Sequence, residues 1–269
     1  MQDLVTQFRA LHQQDSPLIL PNVWDAGGAV IATSLGAKAV ATTSAGVAWS
    51  LGYPDGHTLP TNLQVELTKR IARVITVPLS VDMENGYSAD PEIVAQNVIE
   101  IIRAGASGIN LEDGRDSPEI VIAKIKAIRE ATAKEGLDVF INLRTDIYLQ
   151  QLVPSDKAVE TTIKRGLAYK EAGADGLFVP GLAASGDIKA ITQALAMPVN
   201  VMAWPGLPAA LKLAELGVKR LSAGSGISQI VWQGVADMTK DFLANGDSAS
   251  LTKENMSYGD LQALFSRIS

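Results

Sequence analysis

The chain has 269 residues with 47% hydrophobic and 19% charged residues and a net charge of −6, enough apolar material for a large core and too ordered a composition for disorder. It has no cysteine and two histidines, His12 and His57, which excludes disulfides, thiolate nucleophiles, Cys-ligated metals and a His-rich zinc site. No basic block, signal pattern or membrane span is legible, so the expectation is a cytoplasmic protein without a nucleic-acid or membrane partner.

His12 falls in a polar N-terminal helix and is expected at the surface. The first strand candidate is Leu18 to Trp24, followed by a helix from Ala26 to Leu35. From there one phrase recurs: a helix end, a glycine, then a short apolar strand. Leu35-Gly36-Ala37 leads into a strand from Ala39 to Ser44. Small residues, Thr43-Ser44-Ala45-Gly46, follow, either as a simple turn or as one that lets backbone N–H groups approach a ligand. Asp55 lies in a Gly-x-Pro-Asp-Gly loop, where Asp is a common turn former, and His57 after it reads as a solvated loop residue. A helix from Thr61 to Ile75 precedes a strand from Pro78 to Glu84.

The alternation continues to the end of the chain. Asp90-Pro91-Glu92 opens a helix running to Ala104, and Gly105 leads into a strand from Gly108 to Asp113. Ser117-Pro118-Glu119 opens the next helix, to Glu135, before a strand from Val139 to Asp146. A helix beginning at Ser155-Asp156 ends at Gly173 and gives way to a strand from Gly176 to Pro180. A helix from Ser185 to Leu195, a strand from Pro198 to Trp204, a helix from Leu207 to Leu216, a strand from Arg220 to Gly224 and a helix from Ser225 to Leu243 complete the pattern. Such alternation predicts a parallel sheet, and eight units in about 250 residues predict a (β/α)8 TIM barrel in a single domain, 1–269. A doubly wound open sheet is the alternative, although no G-x-G-x-x-G opens the first helix. Residues 248–269 form a C-terminal helical extension, with Leu261, Leu264, Phe265 and Ile268 at helical spacing.

In such a barrel the chemistry gathers at the C-terminal strand ends. By period-two alternation Asp82 and Glu84 share one face, the next strand ends in Glu112-Asp113, and the one after it brings Asn142, Arg144 and Asp146 to one side. Three carboxylates, Asp82, Glu84 and Glu112, would repel one another if bare. Without His or Cys donors, a hard cation such as Mg²⁺, held by one or two carboxylates and its own waters, relieves that repulsion best; the alternative is that these acids cap the helices that follow.

These segments, with Pro21-Asn22-Val23-Trp24-Asp25-Ala26, Thr43-Ser44-Ala45-Gly46, Gly52-Tyr53-Pro54-Asp55-Gly56, Asp82-Met83-Glu84-Asn85-Gly86-Tyr87 and Asn142-Leu143-Arg144-Thr145-Asp146 in order, resemble the signature segments of the isocitrate lyase/phosphoenolpyruvate mutase superfamily, in its short phosphonomutase-like branch. The resemblance implies a Mg²⁺ ion (Mn²⁺ as a substitute) at Asp82, with Glu84 and Glu112 bound mainly through water. It implies a 2-oxo acid chelating the metal, its carboxylate held at Thr43, Ser44 and Ala45, with Asn200 also on the substrate. Arg144 would neutralise an enolate, and Asp55 matches the family's acidic loop residue. It also implies a homodimer or homotetramer that exchanges the eighth helix.

Departures from the pattern shape the expected activity. The Lys-Lys-Cys-Gly-His lid of isocitrate and methylisocitrate lyases is missing after Glu112-Asp113, Pro180 stands where methylisocitrate lyases place a glutamate, and Met202-Ala203-Trp204 replaces their Thr-Glu-Phe. The expectation is therefore a Mg-dependent lyase or decarboxylase that cleaves a C–C bond of a small 2-oxo or 2-hydroxy dicarboxylic acid. The alternatives are a phosphonate-processing C–P enzyme and a silent 2-oxo-acid binder. A Schiff-base aldolase lacks an inward strand lysine, and Gly224-Ser225-Gly226 offers a phosphate site or equally a plain turn.

Overall fold

The computed structural model describes residues 2–252 and 255–266. Its elements in chain order are α1 (Gln2–Leu11), β1 (Leu18–Leu20), β2 (Asn22–Val23), α2 (Ala26–Ser34), β3 (Val40–Thr42), α3 (Ser44–Ser50), α4 (Thr61–Ala72), β4 (Leu79–Asp82), α5 (Pro91–Arg103), β5 (Gly108–Glu112), α6 (Pro118–Glu135), β6 (Phe140–Arg144), α7 (Ser155–Ala172), β7 (Gly176–Phe178), α8 (Ser185–Ala194), β8 (Val199–Met202), α9 (Ala210–Glu215), β9 (Arg220–Ser222), α10 (Gly226–Asn245) and α11 (Tyr258–Phe265).

All strand pairings are parallel, in the order β1-β9-β8-β7-β6-β5-β4-β3-β2. The first strand is not continuous as expected. Pro21 has no N–H to extend a ladder, so the chain changes neighbour there: Leu18–Leu20 pairs with Arg220–Ser222, and Asn22–Val23 with Ala41–Thr42. Because β1 and β2 are successive halves of one strand position, the sheet closes on itself as a TIM barrel with its helices outside.

Local sequence explains the boundaries. Asp90 caps α5 by accepting from the Glu92 N–H, with Pro91 in the first turn; Ser117 occupies the same position before α6 without a side-chain bond to the helix backbone. Gly173 ends α7 in left-handed backbone, φ +117°, and Gly105 does so after α5, where a Cβ would lie 2.5 Å from that of Ala72.

The main core lies between sheet and helices, with Val81, Ile109, Leu111, Ile141, Leu143 and Val201 fully buried. A second cluster, Phe8, Leu11, Leu18, Leu20, Ala39, Ala41 and Phe140, plugs the end of the barrel beneath α1. His12 belongs to this plug, contrary to the surface position expected: it is 1% exposed, stacks on Phe140 at 4.3 Å and bonds through Nδ1 to the Phe8 carbonyl. The helix face carrying Phe8 carries His12 one turn later, and the ring contacts with Phe8 and Phe140 offset the burial of its unpartnered Nε2. Burial, aided by the charge of Arg220, lowers its pKa to about 3.

The last elements depart from the barrel. α10 exposes Ile230, Val235, Met238, Phe242 and Leu243, while α11 packs on α2 with Phe265 against Gly27. The expected terminal helix thus covers its own chain; Ile268 lies outside the described residues. Among the described residues no helix is long and apolar enough to cross a membrane.

Candidate active site

The strand register builds a polar layer inside the barrel. Asp82 pairs in register with Asn110, Asn110 with Asn142, and Asn200 with Arg220. Asn142 donates to Asn110 at 2.9 Å and to Asn200 at 3.0 Å. Asn200 donates in turn to the Ser222 hydroxyl at 3.1 Å. Arg220 is wholly buried below this layer, within 3.4 Å of Ser80 and Asn110, and burial, opposed by the charge of Asp82, lowers its pKa to about 9.

Above the layer the strand ends carry the charged groups. β4 stops at Asp82, whose N–H donates to Thr42 Oγ1 at 2.8 Å and whose carboxylate accepts from Glu84 N–H at 3.1 Å. Glu84 is not the next inward strand residue that alternation predicts. It lies past the strand in left-handed backbone, φ +48°, because its carbonyl must accept from Glu112 N–H, 2.7 Å away. His57 and Tyr87 also have positive φ, 63° and 60°; each such residue costs on the order of 1 kcal/mol. Three strained residues at one rim indicate that the surrounding contacts hold them there.

His57 is an exposed loop residue, as expected, yet it also meets the site's carboxylates. The loop after α3 folds over the strand ends, so His57 Nδ1 lies 2.9 Å from Glu84 and Nε2 3.6 Å from Glu112, and its backbone N–H also donates to Glu84. Hydrogen bonding to Glu84 raises the His57 pKa against the opposing effect of burial. Burial works to raise the Glu84 pKa, but the bonds from His57 outweigh it and hold it below the usual carboxylate value.

Arg144 ends β6 and is fixed by two carboxylates. Nε and Nη2 form a fork to Asp146 at 2.6 and 3.0 Å, and Nη1 lies 2.8 Å from Glu112. Burial pushes the Glu112 pKa up to about 7, with Asp82 and Asp146 adding to it and Arg144 opposing. Asp113, next in sequence, anchors this corner. It accepts from Thr145 Oγ1 at 2.7 Å, Asp146 N–H at 3.0 Å, Arg165 at 2.6 Å and Tyr169 at 3.0 Å.

These groups border a cavity of about 210 Å³ at the C-terminal strand ends, where Thr43, Ser44, Ala45, Asp55, Asp82, Asn110 and Arg144 come together. The predicted turn at Thr43–Gly46 is the start of α3, and Gly46 is required there because a Cβ would meet Thr43 Cγ2 at 2.8 Å. Glu84 and Glu112 stand beside the cavity, behind His57 and Arg144. Asn200 is 1% exposed and reaches the cavity through Ser222, which lines it. Sequence reasoning missed His57, Asp113 and Arg220. The last two carried a signal, a charge within or next to an apolar strand; His57 carried none, since only the loop fold brings it to Glu84.

Among the described residues no three His, Cys, Asp or Glu side chains converge as a metal cage. Magnesium requires no such cage, since one or two carboxylates and retained waters suffice. Asp82 fits that role. Burial raises its pKa, Arg144 opposes, and the charges of Glu84 and Asp55 raise it further, a repulsion that a cation relieves.

Comparison with known proteins places this chain in a family. Over 223 residues, 81% of each chain, the sequence is 39% identical to an uncharacterized protein of Mycobacterium tuberculosis. It is 28% identical over 233 residues to the oxaloacetate decarboxylase of Pseudomonas syringae pv. tomato, covering 81% of this chain and 77% of that one. The solved structure of a presumptive phosphonomutase from Burkholderia cenocepacia J2315 superimposes with a TM-score of 0.84 at 40% identity, over 88% of this chain and 99% of that one. The family model described as phosphoenolpyruvate phosphomutase matches residues 8–243, and the chain belongs to that family, within the PEP mutase/isocitrate lyase superfamily.

Proposed function

We propose that this chain is a magnesium-dependent carbon–carbon lyase or decarboxylase that cleaves a small 2-oxo or 2-hydroxy dicarboxylic acid through a pyruvate-type enolate. The observation that carries the reading is Arg144, braced by Glu112 and Asp146 at the edge of a small cavity shared with Asp82 and Asp55. A guanidinium has five N–H donors, and three are spent on the bracing, so two remain for an oxygen that gains charge as a bond to C3 breaks. The similarity to oxaloacetate decarboxylase points the same way.

Asp82 would hold Mg²⁺, or Mn²⁺ in its place, with Glu84 and Glu112 meeting it through water. Bound there, the ion supplies a Lewis acid for the keto oxygen. Thr43, Ser44 and Ala45 take the substrate carboxylate, Asn200 supports that end through Ser222, and Asp55 orients the substrate from the loop. Five residues, Asp113–Ser117, join β5 to α6. So short a connection favours a reaction that tolerates solvent over one that needs an enclosed acid. The test is Mg²⁺-dependent pyruvate release from oxaloacetate, dimethylmalate, phosphonopyruvate and methylisocitrate. Oxaloacetate should lead and methylisocitrate trail by orders of magnitude; efficient turnover of methylisocitrate without oxaloacetate sinks the reading. The alternative, phosphonate chemistry, is favoured by the similarity to the phosphonomutase-like structure.

The same reading includes a homodimer or homotetramer. The apolar face of α10 is uncovered, and a groove of about 640 Å³ runs beside β1, lined by Ile19, Leu35 and Leu221. Exchange of α10 between copies would fill one with the other.

A further inference from the structure

Asn200, Asn142, Asn110 and Arg220 form one chain of side-chain bonds across the barrel, and its polarity is fixed from both ends. At one end Asn200 Nδ2 donates to the backbone carbonyls of Val201 and Arg220, at 2.6 and 3.2 Å. Carbonyls only accept, so the Asn200 nitrogen faces them and its Oδ1 faces Asn142. Asn142 therefore offers Nδ2, which donates to Asn200 Oδ1 at 3.0 Å and to Asn110 Oδ1 at 2.9 Å. At the other end the Arg220 guanidinium, a donor only, meets the same Asn110 Oδ1 at 3.4 Å. A reversed Asn110 amide would set N–H against N–H on both sides.

The nitrogen of that amide is left over. Asn110 lines the cavity at the strand ends, and among the described residues its two N–H groups donate to none. It is also absent from the sealed, unpartnered polar atoms of the interior, such as Arg220 Nε and Nη1, so it opens onto the cavity. Asn22 lines the same cavity but is spent on backbone: Oδ1 accepts from Gly224 N–H and Nδ2 donates to the Thr42 carbonyl, each at 2.8 Å. Asn110 stands beside Asp82 in register and one inward step beneath Glu112 on β5.

We infer that Asn110 is a substrate-contacting residue: its oriented amide donates from the floor of the cavity to an oxygen of the bound acid. This rests on the 2-oxo-acid reading above, and adds a neutral donor from β5 to Thr43, Ser44, Ala45 and Arg144. Neutrality suits the position. Beside Asp82 a further carboxylate would add to the repulsion already there, and a cation would compete with a metal ion for the same oxygens. An amide donor does neither. Left unmatched in a partly desolvated site, it costs free energy that a ligand oxygen recovers, so a ligand without an oxygen at this place is disfavoured.

The experiment uses oxalate as the probe, on the Mg²⁺-loaded protein, by calorimetry. Asn110→Ser keeps an oxygen for Asn142 and Arg220 and withdraws the donor; Asn110→Ala removes both. Each should weaken oxalate by about tenfold or more, as loss of a hydrogen bond to a charged ligand does. Mg²⁺ affinity without oxalate should change by less than about threefold, since a neutral amide contributes little to the metal. Oxalate affinity within about threefold of wild type in both variants overturns the inference. So does a parallel loss of Mg²⁺ affinity, which would show that the layer only shapes the Asp82 site. If neither variant folds, the Asn110 side-chain amide resonance in the NMR spectrum of the Mg²⁺-loaded wild type decides: it should shift on addition of oxalate, and a stationary resonance overturns the inference. A wild type that binds Mg²⁺ but no oxalate removes the 2-oxo-acid reading and Asn110 with it. Tight oxalate binding that ignores Asn110 removes Asn110 alone.

Discussion

Arg144 is held by a fork to Asp146 and a third bond to Glu112, so its geometry is set before any ligand arrives. Arg144→Ala should lower kcat on the best substrate by about 10²–10³, as loss of an oxyanion donor does. Arg144→Lys should fail to restore it, because a point charge cannot keep the fork. Asp82 carries the second expectation: Asp82→Ala should abolish Mg²⁺ binding by calorimetry while far-UV circular dichroism stays unchanged. His12 supplies a third, on stability. Its folded pKa, about 3, lies below the unfolded value of 6.5, so the unfolded chain binds more protons between these values. Its contribution is present above pH 6.5 and is lost as pH falls through that window, by at most about 1.4 kcal/mol per unit. In His12→Phe, which keeps the ring stack, the loss of urea stability from pH 7 to pH 5 should shrink by about 2 kcal/mol.

At the scale of elements, the junction of β5, β6 and α7 positions the site. Asp113 follows β5 and ties together Thr145, the Asp146 backbone, Arg165 and Tyr169, and the Asp146 side chain holds Arg144. Removing one partner of a buried pair strands the other. Asp113→Ala should therefore destabilise the protein by about 3 kcal/mol or more in urea unfolding. It should also lower kcat, since Asp146 loses its backbone anchor. Unchanged stability would show that Arg165 finds another partner. Helix limits such as Pro118–Glu135 and Ser155–Ala172 were legible in the sequence, because Pro at the start and Gly after the end are local signals. The break at Pro21 and the turn of Glu84 out of strand geometry were not, because both answer to neighbouring strands.

At the scale of the whole molecule, the barrel leaves α10 and the groove beside β1 uncovered on one chain. Sedimentation should show a dimer or tetramer at micromolar concentration, and Ile230→Asp with Phe242→Asp should shift it toward monomer; a wild-type monomer would remove helix exchange. The sequence by itself determined the eight-unit barrel, its strand-end carboxylates and Arg144, because period, capping and turn chemistry are written within a few residues of each position. Tertiary structure alone decided that His57 meets Glu84 and that His12 lies buried in the plug at the barrel's end. Those facts depend on how a loop folds and which strand ends converge, contacts between residues tens to hundreds of positions apart that no local pattern encodes.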